Sequence, residues 1–176
     1  PKKTAEEKKG ASPKKAEKAA EKPAEPREAV SMEEAPEQVK KAYAYLKTVI
    51  EGLGIEKYDI DVTKAGKEYF FEVSSEDNYS LLIGRRGETL DALQYLTSLY
   101  VNRGQDDYVR VSLDTEHYRA KREEALRKLA LRMANRARKS GHRVALEPMN
   151  PYERRILHSA LQNHPYVTTH SEGEEP

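Results

Sequence analysis

The 176-residue sequence contains no cysteine, no tryptophan and only two phenylalanines. The absence of cysteine excludes disulfide bonds, thiolate nucleophiles and cysteine-ligated metals, and it is typical of a reducing compartment. No apolar run approaches the roughly 18 residues of a membrane-spanning helix, and no segment has the pattern of a signal peptide. We therefore expect a cytoplasmic protein that does not insert into a membrane.

Charged residues are abundant but unevenly distributed, although the net charge is only +1. Residues 29–118 carry 10 basic and 17 acidic side chains, whereas residues 119–143 carry 10 basic and 2 acidic ones. An acidic body followed by one strongly basic segment indicates a polyanionic partner that contacts specific surfaces.

Residues 1–30 consist mainly of lysine, glutamate, alanine and proline, with no aromatic residue. Such a segment buries too little apolar surface to offset the entropy of ordering, so we predict a disordered or transiently helical linker. A non-specific electrostatic arm is the alternative interpretation.

Residues 36–113 have the pattern of a small α/β module, the first module. An amphipathic period predicts a helix that ends at Gly52 or Gly54. Two runs of alternating apolar residues then predict a hairpin with its turn at Gly66. A helical turn, a glycine-flanked loop, a second helix and another alternating strand follow. We expect one sheet covered by helices on one side.

The pattern of helix and strand signals over residues 114–176 predicts a second module. Asp114 is expected to cap a long basic helix that Gly141 ends. The segment "HRVALEPM" predicts a short strand, Asn150 is expected to cap a compact helix, and "YVTTHSE" predicts a final strand. The expected fold class is α+β, with two small α/β modules joined by the long basic helix and no deep enclosed pocket.

The stretch "LLIGRRGETLDALQYL" places two arginines between two glycines, at Gly84-Arg85-Arg86-Gly87, here called the glycine loop. Glycines permit a tight turn and close approach of another backbone, and the following helix directs free amide groups towards an anion. Ile83 offers an apolar wall for a base. We predict contact with nucleic-acid phosphates; a protein contact or a plain turn is the alternative.

The stretch "NPYERRILHSALQ" contains Arg154 and His158 four residues apart, with Arg155 beside the first. This spacing places Arg154 and His158 on one helix face, where arginine can pair with phosphate and imidazole can hydrogen-bond or stack. A solvated helix face is the alternative. Tyr152 and Tyr166 could stack on bases, but packing with the hydroxyl in water is the simpler interpretation.

The basic segment predicts a track for phosphates, unless its charge serves only solubility. The five histidines lack metal-ligand spacing, so we expect no metal, no cofactor and no catalysis. The residues predicted for the track are Arg132, Arg136, Arg138, Lys139 and Arg143.

The loop "IGRRG" within residues 58–113 resembles that of a prokaryotic KH domain, and the Arg-x-x-x-His pattern resembles an R-3-H domain. With "EPMNPYERRILHSALQ" and "HSEGEEP", residues 36–176 resemble the Jag family, or SpoIIIJ-associated proteins. Family members commonly carry a further N-terminal domain before a charged linker and one more strand after "GEEP".

The resemblance implies a bacterial RNA-binding protein. We predict that its two modules grip one strand of RNA, or of single-stranded DNA, in tandem. The glycine loop would clamp about four nucleotides. The resemblance also implies post-transcriptional control linked to cell elongation and division, a small single-KH partner protein, and an indirect link to the membrane insertase or cell-wall machinery. The competing hypothesis is an interaction scaffold in which the KH domain mainly dimerises.

Overall fold

The computed structural model describes residues 27–173, so most of the predicted linker lies outside the described residues. None of the described helices combines the length and the hydrophobicity needed to cross a bilayer. In chain order, the strands and helices are β1 (Glu28–Ala29), α1 (Glu37–Gly52), β2 (Tyr58–Ala65), β3 (Glu68–Ser75), α2 (Tyr79–Ile83), α3 (Glu88–Asn102), β4 (Arg110–Thr115), α4 (Tyr118–Ser140) and α5 (Pro151–Leu161).

The first module is built on a four-stranded sheet in the order β1-β2-β3-β4. The predicted hairpin of β2 and β3 is confirmed, with Gly66 at positive φ in its turn. Strand β4 pairs parallel to β3, which requires a crossover connection. Helices α2 and α3 supply that crossover, and the glycine loop lies between them.

Helices α1 and α3 pack on one face of the sheet, as the sequence predicts. Alternate strand residues such as Val62 and Phe71 are buried beneath Leu46 and Leu90, whereas Asp61 on the opposite face is exposed. This alternation is the pattern of a sheet with one buried face.

One hydrogen bond ties the end of α1 to the start of β2. The Tyr58 hydroxyl donates to the Glu51 carboxylate at 2.9 Å. Burial and this carboxylate raise the pKa of Tyr58 to about 12. Tyr58 therefore stays neutral through the physiological pH range.

The predicted linker is wrong at its C-terminal end. Glu28 and Ala29 pair with Lys64 and Thr63 of β2, and the Val30 amide donates to the Val62 carbonyl at 3.0 Å. A two-residue strand carries no periodic signal, so the sequence pattern does not reveal it. The strand forms because its backbone groups pair with the otherwise open edge of β2.

The long basic helix α4 starts later than predicted. Asp114 lies in β4, and its carboxylate accepts from the Arg119 amide at 3.4 Å in the first turn of the helix. Gly141, at positive φ, follows the last helical residue as expected. The cap of α5 is also confirmed, because the Asn150 side chain accepts from the Glu153 amide at 2.8 Å.

Helices α4 and α5 form the core of the second module, in which Ala130 and Ala134 pack against Leu157 and Leu161. The two predicted strands, residues 142–149 and 166–172, are wrong, since neither segment is a strand in the structure. A strand is stable when a neighbour pairs with its backbone, and neither segment has such a partner within the described chain.

Candidate nucleic-acid interface

The backbone of the glycine loop leaves no space for side chains at its two glycines. Gly84 has φ +68°, and a Cβ there would lie 2.7 Å from Thr89 Cβ. Gly87 has φ +90°, and a Cβ there would lie 2.8 Å from Tyr118 Cε1. Both the dihedral angles and the close neighbours therefore require glycine.

The two loop arginines have different surroundings. Arg85 is exposed, whereas the side chain of Arg86 is 23% exposed and has φ +57°. The Arg86 guanidinium donates to the Glu147 carboxylate and the Pro148 carbonyl. The sequence predicts two open cations at this corner, and the structure leaves Arg85 facing solvent while Arg86 is paired within the protein.

The start of α3 is less favourable to an anion than its dipole alone suggests. Glu88 and Asp91 lie in its first turn, where their negative charges already complement the helix N-terminus. Arg119 pairs with Asp91 at 2.7 Å. Any phosphate at this loop therefore depends on the arginines more than on the helix end.

A cluster around Tyr118 joins the glycine loop to the second module. The Tyr118 ring faces Gly87, and burial raises the pKa of its hydroxyl. In the same cluster, the Arg122 guanidinium contacts Glu153 Oε1 at 2.7 Å, and Glu153 is only 4% exposed. The sequence did not predict a functional role for any of these residues. Glu153 occupies the third helical position after Asn150, which is the usual place of a capping-box glutamate, but its carboxylate pairs with Arg122 instead.

Helix α5 brings the predicted Arg154, Arg155 and His158 to one surface. They line an open groove of about 660 Å³, the α5 groove, between α5 and the residues that follow it. The His158 ring contacts two hydroxyls, with Nδ1 2.7 Å from Thr169 Oγ1 and Nε2 3.1 Å from Ser171 Oγ. The other residues lining the groove are Pro151, Ser159, Leu161, Gln162, His164, Val167, Thr168, Thr169 and Ser171.

The predicted phosphate track divides between two surfaces. Arg132, Arg136 and Lys139 are exposed, with no carboxylate within salt-bridge distance in the described chain. At about 100° per residue, they lie on the side of α4 away from Ala130 and Ala134, which face α5. These three residues are here called the outer stripe.

The other two track residues lie towards the C-terminal end of the second module. The Arg138 guanidinium is 5.7 Å from the centroid of the Tyr166 ring, and Arg143 pairs with Glu172 at 2.8 Å. The predicted track is therefore not one continuous surface, because the outer stripe and the Arg138–Arg143 side face different directions.

The tyrosines near the second motif are not packed. Tyr152 is 63% exposed and Tyr166 is 69% exposed, so the interpretation that they serve packing is wrong. Exposed aromatic rings beside cationic side chains are a usual feature of surfaces that bind single strands.

One potential metal cluster exists in the described chain, and it lies on the first module. Glu72, Asp114 and His117 place their ligand atoms within 4.8 Å of one another. However, the Glu72 carboxylate accepts from the His117 amide and the Asp114 carboxylate accepts from the Thr115 amide. These hydrogen bonds hold the two carboxylates beside His117, whose Nδ1 lies 3.5 Å from Glu72 Oε1.

Comparison with known families matches both modules. Residues 44–113 match the family described as "KhpA/KhpB, KH domain", and residues 124–176 match the R-3-H domain. The predicted α+β class, with a KH domain followed by an R-3-H domain, is confirmed.

Several curated proteins are similar to this chain, and all are named RNA-binding protein KhpB. The protein from Clostridium symbiosum is 49% identical over 137 residues, covering 77% of this chain and 61% of that protein. The protein from Bacillus subtilis is 38% identical over 148 residues, covering 82% of this chain and 70% of that protein. The protein from Lactiplantibacillus plantarum is 38% identical over 132 residues, covering 75% of this chain and 40% of that protein. The chain thus spans about three fifths of the first relative.

Proposed function

Because the chain belongs to the KhpB, or Jag, family of proteins with a KH and an R-3-H domain, we propose that it binds single-stranded RNA without catalysing a reaction. The observation that carries this proposal is the α5 groove. It gathers Arg154, Arg155 and His158 on one open surface, where guanidinium groups can pair with phosphate oxygens. The names of the relatives agree with this ligand.

The glycine loop is the second proposed contact. Exposed Arg85 supplies the first cation there, and half-buried Ile83 lies beside the loop. Gly84 and Gly87 hold the positive-φ turn that presents Arg85, while their own Cβ positions face Thr89 and Tyr118 inside the protein. Arg86 can contribute after it leaves Glu147. Two modest contacts on one chain strengthen each other, because the second contact becomes intramolecular once the first has formed.

The proposed organisation is a KH domain over residues 36–113 and an R-3-H domain over residues 114–176, preceded by a linker. The cluster of Tyr118, Arg122 and Glu153 and the Arg86–Glu147 pair lie where the domains meet. The contacts of Tyr118 with Gly87 and of Arg86 with Glu147 cross this junction. They favour a fixed orientation of the glycine loop relative to the α5 groove, so that one RNA strand could reach both.

A protein contact is the second candidate function, and it is favoured by the outer face of α3. Tyr95, Leu96, Leu99 and Tyr100 are each at least 45% exposed there, and the Tyr100 ring stacks on Tyr45 at 5.0 Å. An exposed apolar stripe of this kind marks an interaction surface. A small single-KH protein or a second copy of the chain is the proposed partner, and such a contact is compatible with RNA binding elsewhere.

The cellular role follows from the family resemblance alone. We propose a cytoplasmic protein in post-transcriptional control linked to cell elongation and division, with an indirect link to the membrane insertase or cell-wall machinery. Crosslinking followed by sequencing of the bound transcripts would test this role. Recovery of ribosomal RNA and abundant messages in proportion to their levels would contradict selective control.

Fluorescence anisotropy with a labelled single-stranded RNA tests the binding function. The double change Arg85→Asp with Arg86→Asp should weaken binding at least about tenfold, because two phosphate-pairing cations are replaced by repelling charges. Arg103→Asp is the control, since it places a similar change at the exposed far end of α3. An unchanged titration with the loop variant, combined with self-association abolished by Leu99→Glu, would favour the scaffold function.

A further inference from the structure

His158 has both ring nitrogens engaged inside the protein. Nδ1 is 2.7 Å from the Thr169 hydroxyl and Nε2 is 3.1 Å from the Ser171 hydroxyl. An imidazole has only these two polar atoms, and a hydroxyl can either donate or accept. A neutral ring therefore satisfies both contacts, by donating to one hydroxyl and accepting from the other. Direct hydrogen bonding to RNA would require breaking one of them.

The residues that His158 contacts have few other attachments. Residues 166–172, here called the tail segment, make no backbone–backbone hydrogen bonds within the described chain. Val167 packs against the core of the second module near the start of the segment, and Glu172 pairs with Arg143 at its end. His158 supplies the side-chain contacts between these two points.

The opposite wall of the groove is firmly built. Asn150 caps α5, and Leu157 and Leu161 anchor the helix against α4. Arg154 lies one turn before His158 on the same helix face. The positions of Thr169 and Ser171 relative to Arg154 therefore depend on the contacts of His158. The two ends of the tail segment are held separately, by Arg138 at Tyr166 and by Arg143 at Glu172.

We propose that His158 is a positioning residue, which holds Thr169 and Ser171 so that the tail segment forms one wall of the α5 groove. RNA then contacts Arg154 and Arg155, while His158 sets the shape of the site. This inference rests on the proposed function of the groove. It differs from the expectation that the imidazole itself binds a sugar or a base.

A double-mutant cycle tests the proposal by anisotropy with single-stranded RNA. Thr169→Val combined with Ser171→Ala removes both hydroxyls that contact His158 and should weaken RNA binding about fivefold. The loss is modest because water competes for these exposed hydrogen bonds. His158→Ala should cause a similar loss by itself. Added to the hydroxyl variant, it should cause almost no further loss, because coupled residues are not additive. Thr169→Ser combined with Ser171→Thr keeps both hydroxyls and should retain the affinity.

Two results would overturn the positioning role. One is a loss on His158→Ala that persists undiminished in the hydroxyl variant. The other is wild-type affinity in the hydroxyl variant itself. Amide NMR spectra of each variant establish that the module is folded. Should a variant unfold, ring nitrogen shifts of His158 in the wild-type protein serve instead: they should stay unchanged when RNA saturates the groove, and a large shift would contradict the proposal.

Arg154→Ala combined with Arg155→Ala separates this inference from the function on which it rests. If this variant binds RNA as well as the wild type, the groove is not an RNA site, and both proposals fail. If it binds at least tenfold more weakly while the hydroxyl variant is unaffected, the groove binds RNA and only the role of His158 is wrong.

Discussion

The guanidinium of Arg86 pairs with the carboxylate of Glu147, 61 residues away along the chain, and also donates to the Pro148 carbonyl. The contact joins the glycine loop of the first module to the segment that precedes α5. It makes the two loop arginines unequal, because Arg85 remains exposed and Arg86 is held by the protein.

Single changes at the loop should reveal this inequality. Arg85→Ala should weaken RNA binding about five- to tenfold, as expected for the loss of a charge-assisted hydrogen bond. Arg86→Ala should weaken it less, about twofold, because the wild-type side chain must first give up Glu147. Anisotropy at fixed salt measures both affinities. Equal losses for the two variants would contradict the unequal roles.

Neutralising Glu147 should strengthen binding. Glu147→Gln removes a carboxylate from the neighbourhood of the loop and releases Arg86 for phosphate, so we expect RNA affinity to rise about two- to fivefold. The gain is limited because an exposed ion pair contributes at most about 1 kcal/mol. Glu76→Gln is the matched control, since its carboxylate pairs with Lys57 at the surface. Weaker binding by Glu147→Gln would mean that the contact orients the loop for RNA.

The partly buried pair of Arg122 and Glu153 should stabilise the packing of α4 against α5 within the second module. Arg122→Ala leaves the Glu153 carboxylate buried without its partner, which should lower the free energy of unfolding by about 3–5 kcal/mol. Urea denaturation measures the loss. Arg127→Ala, which breaks the more exposed pair with Glu123, is the control and should cost less than about 1 kcal/mol. Similar losses in the two variants would contradict a structural role for the buried pair.

The outer stripe should determine part of the salt dependence. Changing Arg132, Arg136 and Lys139 together to glutamine should reduce the slope of log affinity against log salt by about 2, at about 0.7 per phosphate contact on a single strand. The control variant removes the same number of positive charges by changing Lys121, Arg127 and Lys128 to glutamine. Its effect on the slope should be smaller, because Arg127 and Lys128 already pair with carboxylates. If the salt slopes of the two variants are identical, the outer stripe does not contact phosphates and its charge serves only solubility.

Much of the fold could be predicted because its signals are local. The hairpin follows from alternating residues on either side of Gly66, and the α5 cap follows from the side chain of Asn150. The groups that α5 contributes to the groove were also predictable, since a spacing of four residues places Arg154 and His158 on one helix face.

What the sequence did not reveal depends on distant partners. Residues 142–149 and 166–172 have the composition of strands, but a strand forms only where another backbone pairs with it. The Arg86–Glu147 pair and the hydroxyl partners of His158 are fixed by tertiary packing, and no local pattern indicates them. The same holds for β1, which depends on the edge of β2.

The central claim is that one RNA strand contacts both the glycine loop and the α5 groove. NMR titration of the isotope-labelled chain with a single-stranded RNA of about 12 nucleotides tests it most directly, since a KH loop alone takes about four. The amides of Gly84 and Gly87 and those of Arg154 and Arg155 should shift together, and saturate at one RNA per chain. Shifts confined to one of the two sites, or to the outer face of α3, would contradict the claim.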